Sequence, residues 1–113
     1  MSFRVGHISD VHFGPGALAE VRKCAHHALG TMRERQPALV VVSGDLFDHR
    51  LEAHTPAFRE AVRWVRALGD IAPVFVLQGT FSHDVPGMLD VLRLVDTRFP
   101  VHVAERESAC ALV

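Results

Sequence analysis

The chain has 113 residues, 49% of them hydrophobic and 22% charged, with a formal net charge of -1. Such a composition supports a buried core, excludes a disordered chain and fits one small domain. The near-neutral charge excludes recruitment of nucleic acid by a global positive field, so any DNA or RNA contact would have to be local.

Phe3 to Ser9 is short and mostly apolar and predicts a first strand that breaks at Asp10; Gly14-Pro15-Gly16 is loop punctuation. Leu18, Val21, Cys24/Ala25, Ala28/Leu29 and Met32 then recur at helical spacing. Pro37 ends that helix, because proline disfavours helical geometry in the residue before it. Leu39 to Val42 predicts a second strand, and its continuous apolar run predicts burial of both faces under helices. Thr55-Pro56 opens a second helix, a cap-like residue followed by proline at the first helical position. Phe58, Ala61/Val62, Val65 and Leu68 form its inner face, and Gly69 ends it. Pro73 to Leu77 predicts a third strand closed by Gly79. Asp84 to Asp96 predicts a short helix with Met88, Leu89, Leu92 and Val95 inward. Val101 to Val103 predicts a fourth strand, and residues 108–113 the start of another.

This β-α-β-α-β-α-β order predicts an α/β fold with a mostly parallel sheet flanked by helices. Cys24 and Cys110 match no metal spacing; Cys24 falls within the helix pattern as a small core residue. Without a disulfide framework, a reducing cytoplasm is the expected location. The first strand leaves no room for a signal peptide, and no apolar stretch is long enough to span a bilayer.

Three polar clusters follow the first three strands: Asp10-Val11-His12, Gly44-Asp45 and Ser82-His83-Asp84. In parallel sheets ligands bind beyond the carboxyl ends of the strands, where all three fall. Extended geometry would point Asp10 and His12 the same way, so that carboxylate and imidazole share one ion. Mixed oxygen and nitrogen donors suit Mn, Fe or Zn better than Ca or Mg. Asp45 could bridge two cations, and His83 could give a proton to a leaving alkoxide. The structural alternatives are a solvated His12, an Asx-turn at Asp45, and Asp84 as the N-cap of the third helix.

His7-Ile8-Ser9-Asp10-Val11-His12-Phe13-Gly14 and Gly44-Asp45-Leu46-Phe47-Asp48 resemble the first two signatures of calcineurin-like metallophosphoesterases. Phe-Gly after the first and Leu-Phe-Asp after the second resemble most nearly the Mre11/SbcD-type DNA repair nucleases. The resemblance implies that Asp10 and His12 bind one metal, that Asp45 bridges to a second, and that His83 protonates the leaving group with Asp84 as partner. It implies two divalent ions, manganese first and iron or zinc as alternatives, and an activated water that cleaves a phosphoester, DNA among the candidate substrates. A small-nucleotide phosphatase or phosphodiesterase, or a non-catalytic interaction module of the same fold, are the alternatives.

Two departures matter. The family's asparagine, a ligand of the second metal, is replaced: Ser82 stands there if His83-Asp84 sets the register, Thr80 if Gly79 does, and Ser82 is preferred. The family's later lone His and Gly-His-x-His have no counterpart, so residues 1–113 are expected to be the N-terminal part of the domain. Its site would then be incomplete and one apolar sheet surface left for a C-terminal half or partner subunit to cover. Of the other histidines, His7 is expected in the core, His26 and His27 in solvent, His54 at the start of the second helix and His102 half-buried in a strand. His49 could touch a substrate phosphate, though a role away from the substrate is the favoured reading, Asp48 holds its loop, and Trp64 packs in the core.

Overall fold

The computed structural model describes residues 3–105. Four strands, β1 (Val5–Ile8), β2 (Leu39–Ser43), β3 (Val74–Leu77) and β4 (Val101–Ala104), pair in sequence order as one fully parallel sheet. Helix α1 (Leu18–Arg35) joins β1 to β2, and α2 (Pro56–Gly69) joins β2 to β3. A 3-10 helix, Met88–Leu94, joins β3 to β4. The α/β fold and the order of its elements agree with the sequence; the expected strand at 108–113, and Cys110, lie outside the described residues.

The expected burial of both sheet faces under helices is corrected. When successive strands are also neighbours, crossovers of one hand all return over the same side of the sheet. Val40, Val42, Val74 and Val76 are fully buried on the helical side, each stabilising the fold by about 1.5–3 kcal/mol. On the other side His7, Val41, Phe75 and His102 form one row across all four strands, exposed at His7 and half-buried beyond it. Among the described residues the β-branched run of β2 therefore has one covered face, not two. His7 is exposed rather than in the core, and its Nε2 is hydrogen-bonded to Ser43 Oγ at 2.5 Å. His102 stacks on Phe75 with 5.0 Å between ring centroids.

Ala25, Leu29 and Met32 are the buried face of α1, which leaves Cys24 exposed rather than in the core. Trp64 of α2 is buried and donates Nε1–H to the Ala25 carbonyl at 2.8 Å, pinning the two helices together. Thr55 precedes α2 but does not cap it: its hydroxyl donates back to the Glu52 carbonyl at 2.7 Å. The third helix is shorter than expected, because Pro86 and the left-handed Gly87 delay its start. Leu89 and Leu92 are buried, and Val95 lies past its end. Among the described residues no helix is long and apolar enough to cross a membrane.

Candidate metal centre

Past its last paired residue, the chain leaving β1 runs beside the chain leaving β2. Asp10 N–H donates to Gly44 O at 3.1 Å, His12 N–H to Asp45 O at 3.1 Å, and Phe13 N–H to Leu46 O at 2.8 Å. Asp48 N–H returns to Phe13 O at 2.9 Å. Two buried rings anchor this ribbon: Phe13 lies 5.8 Å from Trp64, and Phe47 stacks on Phe58 at 5.2 Å. The ribbon is thereby part of the scaffold, and the polar residues between its anchors have little freedom to drift.

Asp10, His12 and Asp45 have φ of 56°, 61° and 53°. Left-handed backbone costs a non-glycine residue about 1–3 kcal/mol and persists where the surroundings impose it. Asp10 and His12 therefore converge through two left-handed turns, not through the extended geometry expected from their spacing. Gly44, at φ 100°, makes the corresponding turn after β2 without that cost.

The result is a concentration of donor atoms. One group joins Asp10, His12 and Asp45, a second joins His12, Asp48 and His83, and within each the candidate ligand atoms lie within 4.8 Å of one another. His12 Nε2 is 3.7 Å from Asp10 Oδ1, and His12 Nδ1 is 3.7 Å from Asp48 Oδ1. That Nδ1 is buried and, among the described residues, has no hydrogen-bond partner. An orphaned imidazole nitrogen among carboxylates is what a cation would satisfy, so the residues present fit a metal ion.

Asp45 Oδ1 accepts the Thr80 N–H at 2.8 Å and the Thr80 hydroxyl at 3.0 Å. Burial pushes its carboxyl up, but the Thr80 bonds, with His83 and His12 nearby, outweigh this and hold it below the usual aspartate value. His83 packs edge-on against His12 with centroids 4.8 Å apart. Its Nδ1 is hydrogen-bonded to the Asp48 carbonyl; an oxygen that can only accept makes Nδ1 the donor and leaves Nε2 for chemistry. That bond raises the His83 pKa above its usual value against the opposing effect of desolvation, with Asp45, Asp48 and Asp84 adding to the rise.

The Asp84 carboxylate is hydrogen-bonded to backbone amides rather than to the His83 ring, and Asp84 does not cap the third helix. It is 0% exposed, and its carboxylate accepts the N–H groups of Phe47 at 3.0 Å, Gly79 at 2.9 Å and Leu46 at 3.4 Å. Charge-assisted bonds to these backbone donors replace the solvation the buried carboxylate has lost. They also clamp the loop after β2 to the loop after β3. Of the two candidates for the asparagine position, Ser82 is exposed and Thr80 makes the contacts to Asp45. His83 N–H and Asp84 N–H both donate to Thr80 O, at 3.1 and 2.8 Å, and this tight turn extrudes the residues between.

Gly79 sits where these loops cross. A Cβ there would lie 2.3 Å from the Asp45 backbone nitrogen and 2.2 Å from its Oδ1. Gly79→Ala is expected to push Asp45 out of position and lower stability by about 1–3 kcal/mol, read from urea denaturation.

Asp48, expected only to hold its loop, also stands in the second donor group. Its backbone carbonyl fixes His83, one carboxylate oxygen faces His12, and the other lies 3.1 Å from His49 Nδ1. Its position three residues after Asp45 was the available signal. His49 is exposed and paired with Asp48. Residues 3–95 match a family model described as calcineurin-like phosphoesterase. No curated protein matches the chain significantly.

Proposed function

The chain belongs to the calcineurin-like phosphoesterase family, and from that premise we propose that it hydrolyses a phosphoester with divalent metal ions held by Asp10, His12 and Asp45. The observation that carries the proposal is that these three residues, all held in left-handed backbone, bring ligand atoms within 4.8 Å of one another. Bound ions supply Lewis-acid polarisation of the phosphoryl oxygens and lower the pKa of a water. Nitrogen and oxygen donors together favour manganese, iron or zinc, and manganese is the ion to test first. The lowered pKa of Asp45 keeps it ionised, as a ligand must be. Thr80, not Ser82, takes the place of the family's asparagine in this proposal, because its hydroxyl is at Asp45.

His83 holds the proton for the leaving oxygen on Nε2, with Nδ1 fixed by the Asp48 carbonyl. Asp84 positions the loops and takes no part in proton transfer. Since His83 also belongs to the second donor group, the competing role is a metal ligand, and a nitrogen bound to an ion cannot carry the proton. The two roles give different results. His83→Ala is expected to slow an alkoxide leaving group about 10²–10⁴-fold and p-nitrophenolate far less, whereas loss of a ligand would slow both alike.

A phosphodiester of modest size is the favoured substrate. Of the nuclease-like features, Phe13, Leu46 and Phe47 are fully buried packing residues, and a net charge of -1 offers no long-range attraction to DNA. The test is hydrolysis of bis-p-nitrophenyl phosphate, p-nitrophenyl phosphate and duplex DNA with manganese. Chelator-sensitive release from the diester, with DNA cut slowly, is expected. No metal-dependent release, with Asp45→Ala unchanged from wild type, would overturn it.

A further inference from the structure

The turn that carries His83 contains two residues beyond the Gly79-Thr80 pair that faces Asp45, and one of them is aromatic. Because the His83 and Asp84 amides both close on Thr80 O, Phe81 is pushed to the outside, where it is 68% exposed. An aromatic ring so exposed on a turn gains nothing from the core and covers no part of it. Phe81 lines a cavity of about 490 Å³ together with Pro86, Val103, Gln78, Arg93 and Glu105. Gln78 and Glu105 follow β3 and β4, so this cavity opens at the same sheet edge as the metal centre. Its volume falls in the range that holds small organic ligands.

We propose that Phe81 and this cavity form a leaving-group subsite that selects phosphoesters whose departing alcohol carries a planar aromatic ring. The inference rests on the phosphoesterase reading, in which His83 faces the departing oxygen two residues after Phe81 in the same tight turn. Pro86 and Val103 give an apolar wall for the ring. Arg93, ion-paired to Asp90 through Nε at 3.4 Å, has further guanidinium N–H groups for acceptors on the ring's edge. Gln78 donates its Nε2–H to the Asp84 carbonyl at 2.7 Å, which ties the cavity floor to the clamp beneath the metal centre. Stacking on an aromatic side chain tolerates many rings, so the subsite selects a class of leaving group rather than one compound.

The test has a binding arm and a kinetic arm, both on the full chain with manganese. In the first, phenyl phosphate and methyl phosphate are titrated calorimetrically into wild type, Phe81→Ala and Phe81→Trp. Phenyl phosphate is expected to bind wild type about tenfold tighter than methyl phosphate, with the preference lost in Phe81→Ala and kept in Phe81→Trp. In the second, each variant is compared with wild type on an aryl and a methyl ester. Phe81→Ala is expected to raise KM for the aryl ester, with kcat and the methyl ester unchanged. Equal binding of both probes by wild type, or equal effects of Phe81→Ala on both, would overturn the subsite. Preferential phenyl phosphate binding without turnover of any ester would instead overturn the hydrolase reading and leave the subsite standing.

Discussion

Asp84→Ala is expected to cost about 3–5 kcal/mol of folding stability, the largest loss at any polar position of the site. The wild-type carboxylate is fully buried and satisfies the backbone donors of Leu46, Phe47 and Gly79. Alanine strands all of them, at about 1–3 kcal/mol for each unpaired buried group. Asp84→Asn keeps the volume but turns an amide N–H toward a backbone N–H, so it is expected to recover only part of the loss. Urea denaturation measures both, and hydrogen exchange at the Leu46, Phe47 and Gly79 amides localises the damage. A residue that merely oriented His83 would give a different result: full stability, normal exchange and a defect confined to proton transfer.

Asp45→Asn is expected to leave the fold in place and remove the chemistry. Asparagine tolerates the left-handed backbone that position 45 requires, at φ 53°, and can still accept from Thr80. It cannot supply the charge on which both the His12 group and a bound ion depend. Replacing a residue that only supports a ligand already costs roughly 10–100-fold in metal affinity or activity, and replacing the ligand is expected to exceed about 100-fold. Calorimetric titration with manganese, alongside urea denaturation, separates loss of the ion from loss of the fold. Unfolding at the wild-type midpoint with metal affinity also unchanged would remove Asp45 from the centre.

Much of the architecture was legible because each signal is local. Pro37 and the left-handed Gln36 end α1, Pro56 opens α2, and the apolar runs of β2 and β3 break at the polar residues of the site. The strand ends, readable in the sequence, place Asp10, His12, Asp45 and His83 at one edge of the sheet. What escaped depends on partners far away in sequence. Asp84 owes its role to amides at positions 46, 47 and 79, and a helix cap is the cheaper explanation when only its neighbours are in view. Thr80 displaces Ser82 because the turn closes on its carbonyl, a fact of backbone geometry that motif spacing does not carry. The open sheet face follows from strand order, and an apolar run such as Leu39 to Val42 reads alike whether one face is covered or two. Phe13 and Phe47 gave a family flavour to the motifs, yet their burial makes them anchors rather than substrate contacts.

The central claim is that the convergent residues beyond β1, β2 and β3 hold a metal ion. A zinc titration followed through the imidazole resonances of the eight histidines tests it most directly. The account predicts saturable shifts that are largest at His12, with His7, His26, His27 and His102 unmoved, and their disappearance in Asp45→Ala. Shifts confined to the exposed histidines of α1, or a His12 response that survives Asp45→Ala, would contradict it.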